Sequence, residues 1–376
     1  MKLKSLIRCL PVILLGGMLH SSDVNAEPSQ TLRSVEIVQA LKAKELKTTV
    51  INDFADNVVI PTYQQLVLRA ETLSKAVDAF VSSPNNETLA VAQLAWRATR
   101  TPWEQSEAFA FGPAESLGYD GDLDDWPVNQ TDVLAILKSK IALSPGVIEN
   151  LQTTQKGFHT IEYLLFGLDN DKDATDFTPR ELELLKLLAD AFNQTAKDLT
   201  QSWVSGVKGN PPYRQVLVTA GNPQNPAYQT RQAAIEEIVQ GIMGCLDEVG
   251  NEKIGEPLKT KETLGFESRF SHTSLDDFKN NILSVENAYL GRVAIARTQG
   301  NSLSDLIAAA NPSLDKQVKQ ELKDAIAALE AVPDPVEPTL TDAEAIAMLT
   351  KAQTAVLTAF TTFEEDVLPL VQSMKR

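Results

Sequence analysis

The segment TPRELELLKLLADAFNQTAKDLTQSWV, residues 178–204, decides the fold class. Thr178 precedes Pro179 and is followed three residues on by Glu181, a capping-box pattern with proline at the first helical position. Leu182, Leu185, Leu188, Phe192, Leu199 and Trp203 then recur at helical spacing, so one stripe of a long helix is apolar and must be covered. The same period continues outward in both directions. Residues 62–81 carry Leu66, Leu68, Ala70, Leu73, Ala76, Val77 and Phe80 and stop at Ser82-Ser83-Pro84. Asn85 or Asn86 caps a following helix that bears Leu89, Val91, Ala92, Leu94, Ala95 and Trp96. Further helices are predicted near 228–249, 275–297, 314–331 and 342–373. The one strand-like piece of note, Gln215 to Thr219, is too short to found a sheet. The reading is an all-α chain.

Residues 112–131 hold Gly112, Pro113, Gly118, Gly121 and Pro127 among several acids and read as a loop between helices. Residues 206–227 and 250–272 are rich in glycine, proline and asparagine. The composition shift at 206–227 predicts a boundary, with one helical bundle over 27–210 and a second over 211–376. The similar helix counts suggest a duplicated four-helix-bundle architecture, although no sequence repeat is present. The Pro-rich stretch Ala331 to Pro338 reads as a stiff connection between helices.

Charge and the N-terminus bound the function. The 376 residues include 34 Lys+Arg against 50 Asp+Glu, a formal net charge of −16 that repels phosphate backbones and excludes a nucleic-acid partner. Lys2, Lys4 and Arg8 precede an apolar run from Cys9 to Leu19, too short to span a bilayer, and Val24-Asn25-Ala26 offers a small-residue cleavage site. Residues 1–26 therefore read as a secretory signal peptide, and no later run is long enough to be a transmembrane segment. The mature chain would carry a net charge of −18, His159 and His272, and a single thiol, Cys245, among Ile242, Met243 and Leu246. One thiol makes no internal disulfide, and its neighbours place it in the core.

Two segments carry candidate chemistry. In Gly157-Phe-His-Thr-Ile-Glu-Tyr-Leu-Leu-Phe-Gly167, His159 and Glu162 stand three apart on a predicted helix and share a face. An imidazole nitrogen and a carboxylate oxygen there can meet one cation, and a carboxylate on so apolar a helix needs a cationic partner. The spacing alone is common by chance, and taken alone it fits a buried His–Glu hydrogen bond or a surface pair better than a metal site. In Arg97-Ala-Thr-Arg-Thr-Pro-Trp-Glu-Gln-Ser-Glu-Ala-Phe109, Glu104 and Glu107 repeat the three-residue spacing, and Pro102 either kinks a continuing helix or opens a new one. Alone, this pair fits a solvated acidic face. Zincin, Gly-x-Ser-x-Gly and phosphate-loop motifs are absent, and nothing supports a Ser/His/Asp triad. Tyr119 to Asp125 begins like a calcium loop but lacks its sixth-position glycine and closing glutamate.

Taken together, Gly157-Phe-His-Thr-Ile-Glu162 and the upstream Arg100-Thr-Pro-Trp-Glu-Gln-Ser-Glu-Ala-Phe109 resemble the imelysin-like family, also known as the insulin-cleaving metalloprotease or iron-regulated protein A type, whose hallmark is Gly-x-His-x-x-Glu. The likeness extends through Asp125-Trp-Pro127, Glu267-Ser-Arg-Phe-Ser271, Gly300 to Leu306 and the helix around Leu368-Pro-Leu370, and is nearest to the iron-regulated branch. It implies two four-helix bundles, export to the periplasm or outer membrane, and a site near the bundle interface. Carried over by position, His159 and Glu162 occupy the hallmark, and Glu104 and Glu107 match the upstream acids. Arg100, Trp103, Trp126, Arg269 and Ser271 fall in matching motifs without an assigned role. Members have been described as metallopeptidases and as components of iron uptake.

Three functions follow in order of support. The first is a periplasmic iron-binding protein, with a metal ion as its partner (iron, or alternatively zinc) held by His159, Glu162, Glu104 and Glu107, and a transport component as a further partner. The second is a binding module for a peptide or protein, without metal. The third is a metallopeptidase using a metal-bound water, for which three ligands, an open position and a separate base leave the residue count tight.

Overall fold

In the computed structural model, which describes residues 45–374, the Pro179–Val204 helix runs its predicted length. The Glu181 N–H donates to the Thr178 hydroxyl at 3.2 Å and the Thr178 N–H donates to the Glu181 carboxylate at 2.8 Å, which closes the capping box. Leu185, Leu188, Phe192, Leu199 and Trp203 are buried. The Ile60–Ser82 helix packs along this one, the Asn86–Glu104 helix packs on Ile60–Ser82, and the shorter Gly157–Phe166 helix lies against both Asn86–Glu104 and Pro179–Val204. Asn85 is the cap of the second, accepting from the Glu87 and Thr88 N–H groups at 3.0 and 3.1 Å.

Four further helices pack on one another: Arg231–Asp247, Ser274–Leu290, Pro312–Glu330 and Ala343–Thr362. Ser274–Leu290 reaches across to the Asn86–Glu104 helix, and with Arg231–Asp247 it covers the Glu107–Phe109 turn. The described residues belong to one compact unit. The fold is all-α; among the described residues the strand content is one antiparallel pair, Arg292–Val293 with Thr298–Gln299. No described helix is long and apolar enough to cross a membrane. Cys245 is buried and free. The signal-peptide reading of residues 1–26 lies outside the described residues.

Local departures from the sequence reading each have a cause. The strand-like piece at 215–219 is part of a helix, Tyr213–Val218, with Val216 and Leu217 buried; packing overrides the preference of a five-residue window. The helix expected over 275–297 ends at Leu290, because Gly291 adopts a left-handed φ of +64° and closes it. Residues 112–131 are not one loop: they contain the short helices Pro113–Ser116 and Tyr119–Asp124. The Asn86–Glu104 helix continues through Pro102 and ends at Glu104, so Glu107 lies in a 3-10 turn and not on the same helix face.

Candidate metal centre

Gly157 begins the Gly157–Phe166 helix with a φ of +76°, and a Cβ on it would lie 2.5 Å from the carbonyl oxygen of Leu123. Only glycine permits that approach, and it brings the end of the Tyr119–Asp124 helix against the first turn that carries His159. Asp124 Oδ1 consequently lies 3.0 Å from His159 Nε2. On the other side of the ring, His159 Nδ1 is 3.0 Å from Glu162 Oε2, one helical turn on. The second oxygen of Glu162 accepts from the N–H groups of Phe270 and Ser271 at 3.1 and 2.8 Å and from the Ser271 hydroxyl at 2.7 Å. Glu162 is thereby engaged on both oxygens. It fixes the imidazole from behind and ties the Gly157–Phe166 helix to the 267–273 turn.

A dense charged cluster fills the space in front of His159. Arg100 is buried at its centre with ion pairs to Glu104, Asp124, Glu267 (3.0 Å) and Asp277 (3.1 Å). Its guanidinium lies over the Phe158 ring, 4.8 Å from the centroid. Trp103 donates its indole N–H to Asp124, and Asn281 donates to Glu104 at 2.6 Å. Lys253, the last residue of a π-helical turn over Glu248–Lys253, places its buried ammonium 2.9 Å from Glu267. The charged groups rest on the aromatic packing of Trp96, Trp103, Phe158 and Phe192, which keeps the local dielectric low.

Three sets of these side chains bring a ligand atom of each member within 4.8 Å of the others: Asp124, His159 and Glu267; Glu104, Glu107 and Asp124; and Glu104, Glu267 and Asp277. They share members and form one patch. Glu162 belongs to none of them. His159 Nε2, Glu104 Oε1 and Glu267 Oε2 are buried and make no aligned hydrogen bond. Each is close to an opposite charge, yet the contact is ionic and not directional. A buried imidazole nitrogen amid carboxylate oxygens, once its proton is displaced, is a donor set that fits iron, manganese or zinc.

Electrostatics agree with an excess of negative charge. Burial lowers the His159 pKa, but the negative charge of Asp124 and the carboxylates of Asp124 and Glu162 beside the two ring nitrogens outweigh it and raise the imidazole to about 10. Burial and neighbouring acids push Glu104 and Glu107 well above the usual carboxylate range and Asp277 up to about 7. Asp124 goes the other way: burial would raise it, and Arg100 and His159 hold it down. A cavity of about 400 Å³ opens onto the patch, lined by Glu107, Asp120, Asp124, Asp125, Trp126, Glu248, Glu252 and Glu267.

With that geometry established, comparison with known proteins assigns the family. The imelysin family model matches residues 59–362. The chain belongs to the imelysin family. The iron-regulated protein A of Synechococcus elongatus is 37% identical over 322 residues, covering 86% of each chain. A crystal structure described as an iron-regulated protein A precursor from Parabacteroides distasonis superposes with a TM-score of 0.75 at 30% identity, over 85% of this chain and 94% of that one. An imelysin-like protein from Psychrobacter arcticum shares the fold, with a TM-score of 0.66 at 14% identity over 87% and 96%.

Within this imelysin the residues singled out in the sequence have distinct places. Glu104 and Glu107 meet at Asp124, His159 meets Asp124 and Glu267, and Glu162 stands behind His159. Arg100 is the hub of the cluster, Trp103 holds Asp124, Ser271 holds Glu162, and Trp126 lines the cavity. Arg269 stacks its guanidinium on Phe270, 4.2 Å from the ring centroid. Sequence reasoning did not assign Asp124, Glu267, Asp277 or Lys253. Asp124 lay inside the acidic run weighed as a calcium loop, and Glu267 began a segment already matched to the family. Lys253 and Asp277 gave no signal.

Proposed function

We propose that this chain is an exported iron-binding protein that captures the ion for uptake, in the periplasm or at the outer membrane, after loss of residues 1–26. The ion is held where two helical bundles, 27–210 and 211–376, meet. His159 Nε2, Asp124 and Glu267 are its ligands, with Glu104 and Glu107 within reach. The observation that carries this reading is His159 Nε2: buried, without an aligned partner, and grouped with the carboxylates of Asp124 and Glu267 from two other segments of the chain. The likeness to iron-regulated protein A supports iron as the ion. A bound metal would replace the protons that burial and neighbouring acids favour on Glu104 and Glu107. Arg100 would keep Asp124 and Glu267 oriented, and Glu162 would hold the Nδ1 proton so that Nε2 stays available.

A peptidase role would need a general base. Glu162 cannot serve, because four hydrogen bonds already occupy it.

The test is anaerobic titration of the purified mature protein with Fe²⁺ by calorimetry. His159→Ala and Glu267→Gln should each weaken binding more than tenfold. His272→Asn, which keeps a residue tolerant of the φ of +57° found there, should change it little. Equal affinity in wild type and His159→Ala would refute the site and leave the cluster as an internal salt-bridge network.

A further inference from the structure

Lys253 is the cation that the metal reading does not use. Its ammonium is buried, 2.9 and 3.1 Å from the two oxygens of Glu267, 3.4 Å from Asn281 Oδ1, and 3.6 Å from both Glu104 Oε2 and Glu248 Oε1. Enclosing an ammonium this fully costs several kcal/mol unless carboxylates surround it, so its placement is no packing accident. Glu267 and Glu104 also belong to the sets able to hold an ion. Lys253 therefore occupies oxygens that an incoming ion needs.

The two buried cations differ in freedom. Arg100 is clamped by two hydrogen bonds to Asp277, at 3.1 and 3.3 Å, and by the face of Phe158. Its planar fork has one way to lie. Lys253 is a point charge on a flexible stem at the end of a π-helical turn, a type of backbone irregularity frequent at functional sites. Glu248, at the start of that same turn, lines the cavity and remains 36% exposed. A short swing of the lysine stem would exchange Glu267 for Glu248 as its main partner.

We propose that Lys253 is an internal counter-cation that competes with the metal ion, neutralising Glu267 in the ion-free protein and moving toward Glu248 when the ion binds. The inference rests on the reading of the cluster as a metal site. Replacing one cation by another keeps the buried charge balanced in both states, so the ion-free protein stays folded. It also lowers affinity to a range in which the ion can be released. A monovalent ion gains little over the ammonium it displaces, whereas a divalent or trivalent ion gains more from the same carboxylates.

The experiment titrates wild type, Lys253→Met and Lys253→Arg with Mn²⁺ and with anaerobic Fe²⁺ by calorimetry, alongside thermal melts. Lys253→Met should bind at least tenfold more tightly than wild type, and its ion-free melting temperature should fall and recover when ion is added. Lys253→Arg should bind no more tightly than wild type. If Lys253→Met does not fold without ion, amine acylation of the wild type, read at Lys253 by mass spectrometry, replaces it. Labelling should then rise at saturating Mn²⁺. Wild-type binding with no gain in Lys253→Met, or unchanged labelling, overturns the proposal while leaving the metal site standing. Absence of binding in every variant overturns both.

Discussion

At Gly157 a φ of +76° and a backbone carbonyl 2.5 Å from any added Cβ act on the same atom, and the consequence is felt two residues later at His159. Gly157→Ala would force the Tyr119–Asp124 helix away and carry Asp124 from His159. We expect a loss of about 1–3 kcal/mol in stability, read from denaturant midpoints, together with weakened metal binding. The imidazole itself sets a pH dependence. Its pKa is raised to about 10, so at neutral pH it carries a proton that an ion on Nε2 must displace. Affinity should therefore rise with pH through neutrality, by up to about tenfold per unit for one proton released, as calorimetry in buffers of different ionisation enthalpy would register. A pH-independent affinity between 6 and 8 would place the ion elsewhere.

Elements here are defined by their ends. The Pro179–Val204 helix owes its start to Thr178 and Glu181, and Thr178→Ala should cost about 1 kcal/mol. Glu181 adds a pH signature: burial would raise its pKa, but Lys172, 2.8 Å away, and the Thr178 N–H bring it below the ordinary value. A depressed carboxylate contributes stability above its unfolded pKa of about 4.3, and that contribution disappears as pH falls through the folded value. Glu181→Gln should accordingly be less stable than wild type at pH 7 and converge with it in acid, measured by urea unfolding. The π-helical turn at Glu248–Lys253 shows the opposite use of an element end. Where the Arg231–Asp247 helix loses its regular bonding, a lysine is turned inward, which an ideal helix would not have done.

For the whole molecule, the cluster joins parts of the chain that are far apart in sequence: residues 100–124, 157–162 and 253–277. An ion bound to this junction stabilises the folded chain by mass action, by about 2.7 kcal/mol at a free concentration one hundred times Kd. Melting temperature should thus rise with added Fe²⁺ or Mn²⁺ and fall to the ion-free value on chelation. His159→Ala should abolish that shift. A shift retained in His159→Ala would mean the ion stabilises the protein from another site.

The sequence by itself determined the helical class, because a period of three to four in apolar residues leaves a stripe that only helix packing can bury, and capping residues mark where it begins. It also singled out His159 as a candidate, through a polar ring on so apolar a helix and through the resemblance of the surrounding motif to the imelysin family. Glu104 and Glu107 were legible as a pair, although the chain bends between them and the pairing is made in space and not along one helix. The partners of His159 were decided by the tertiary structure alone. Asp124 and Glu267 are two among many acids in an acidic chain, and nothing local distinguishes a carboxylate that will be buried beside Arg100 from one left in water. Glu162 was read as facing the same point as His159, because spacing specifies a shared helix face but not which atoms lie beyond it. The turn at Phe270 and Ser271, more than a hundred residues away, decides that its oxygens point backward. Charge clusters of this kind form where elements meet, and their composition is a property of the packing and not of any single segment.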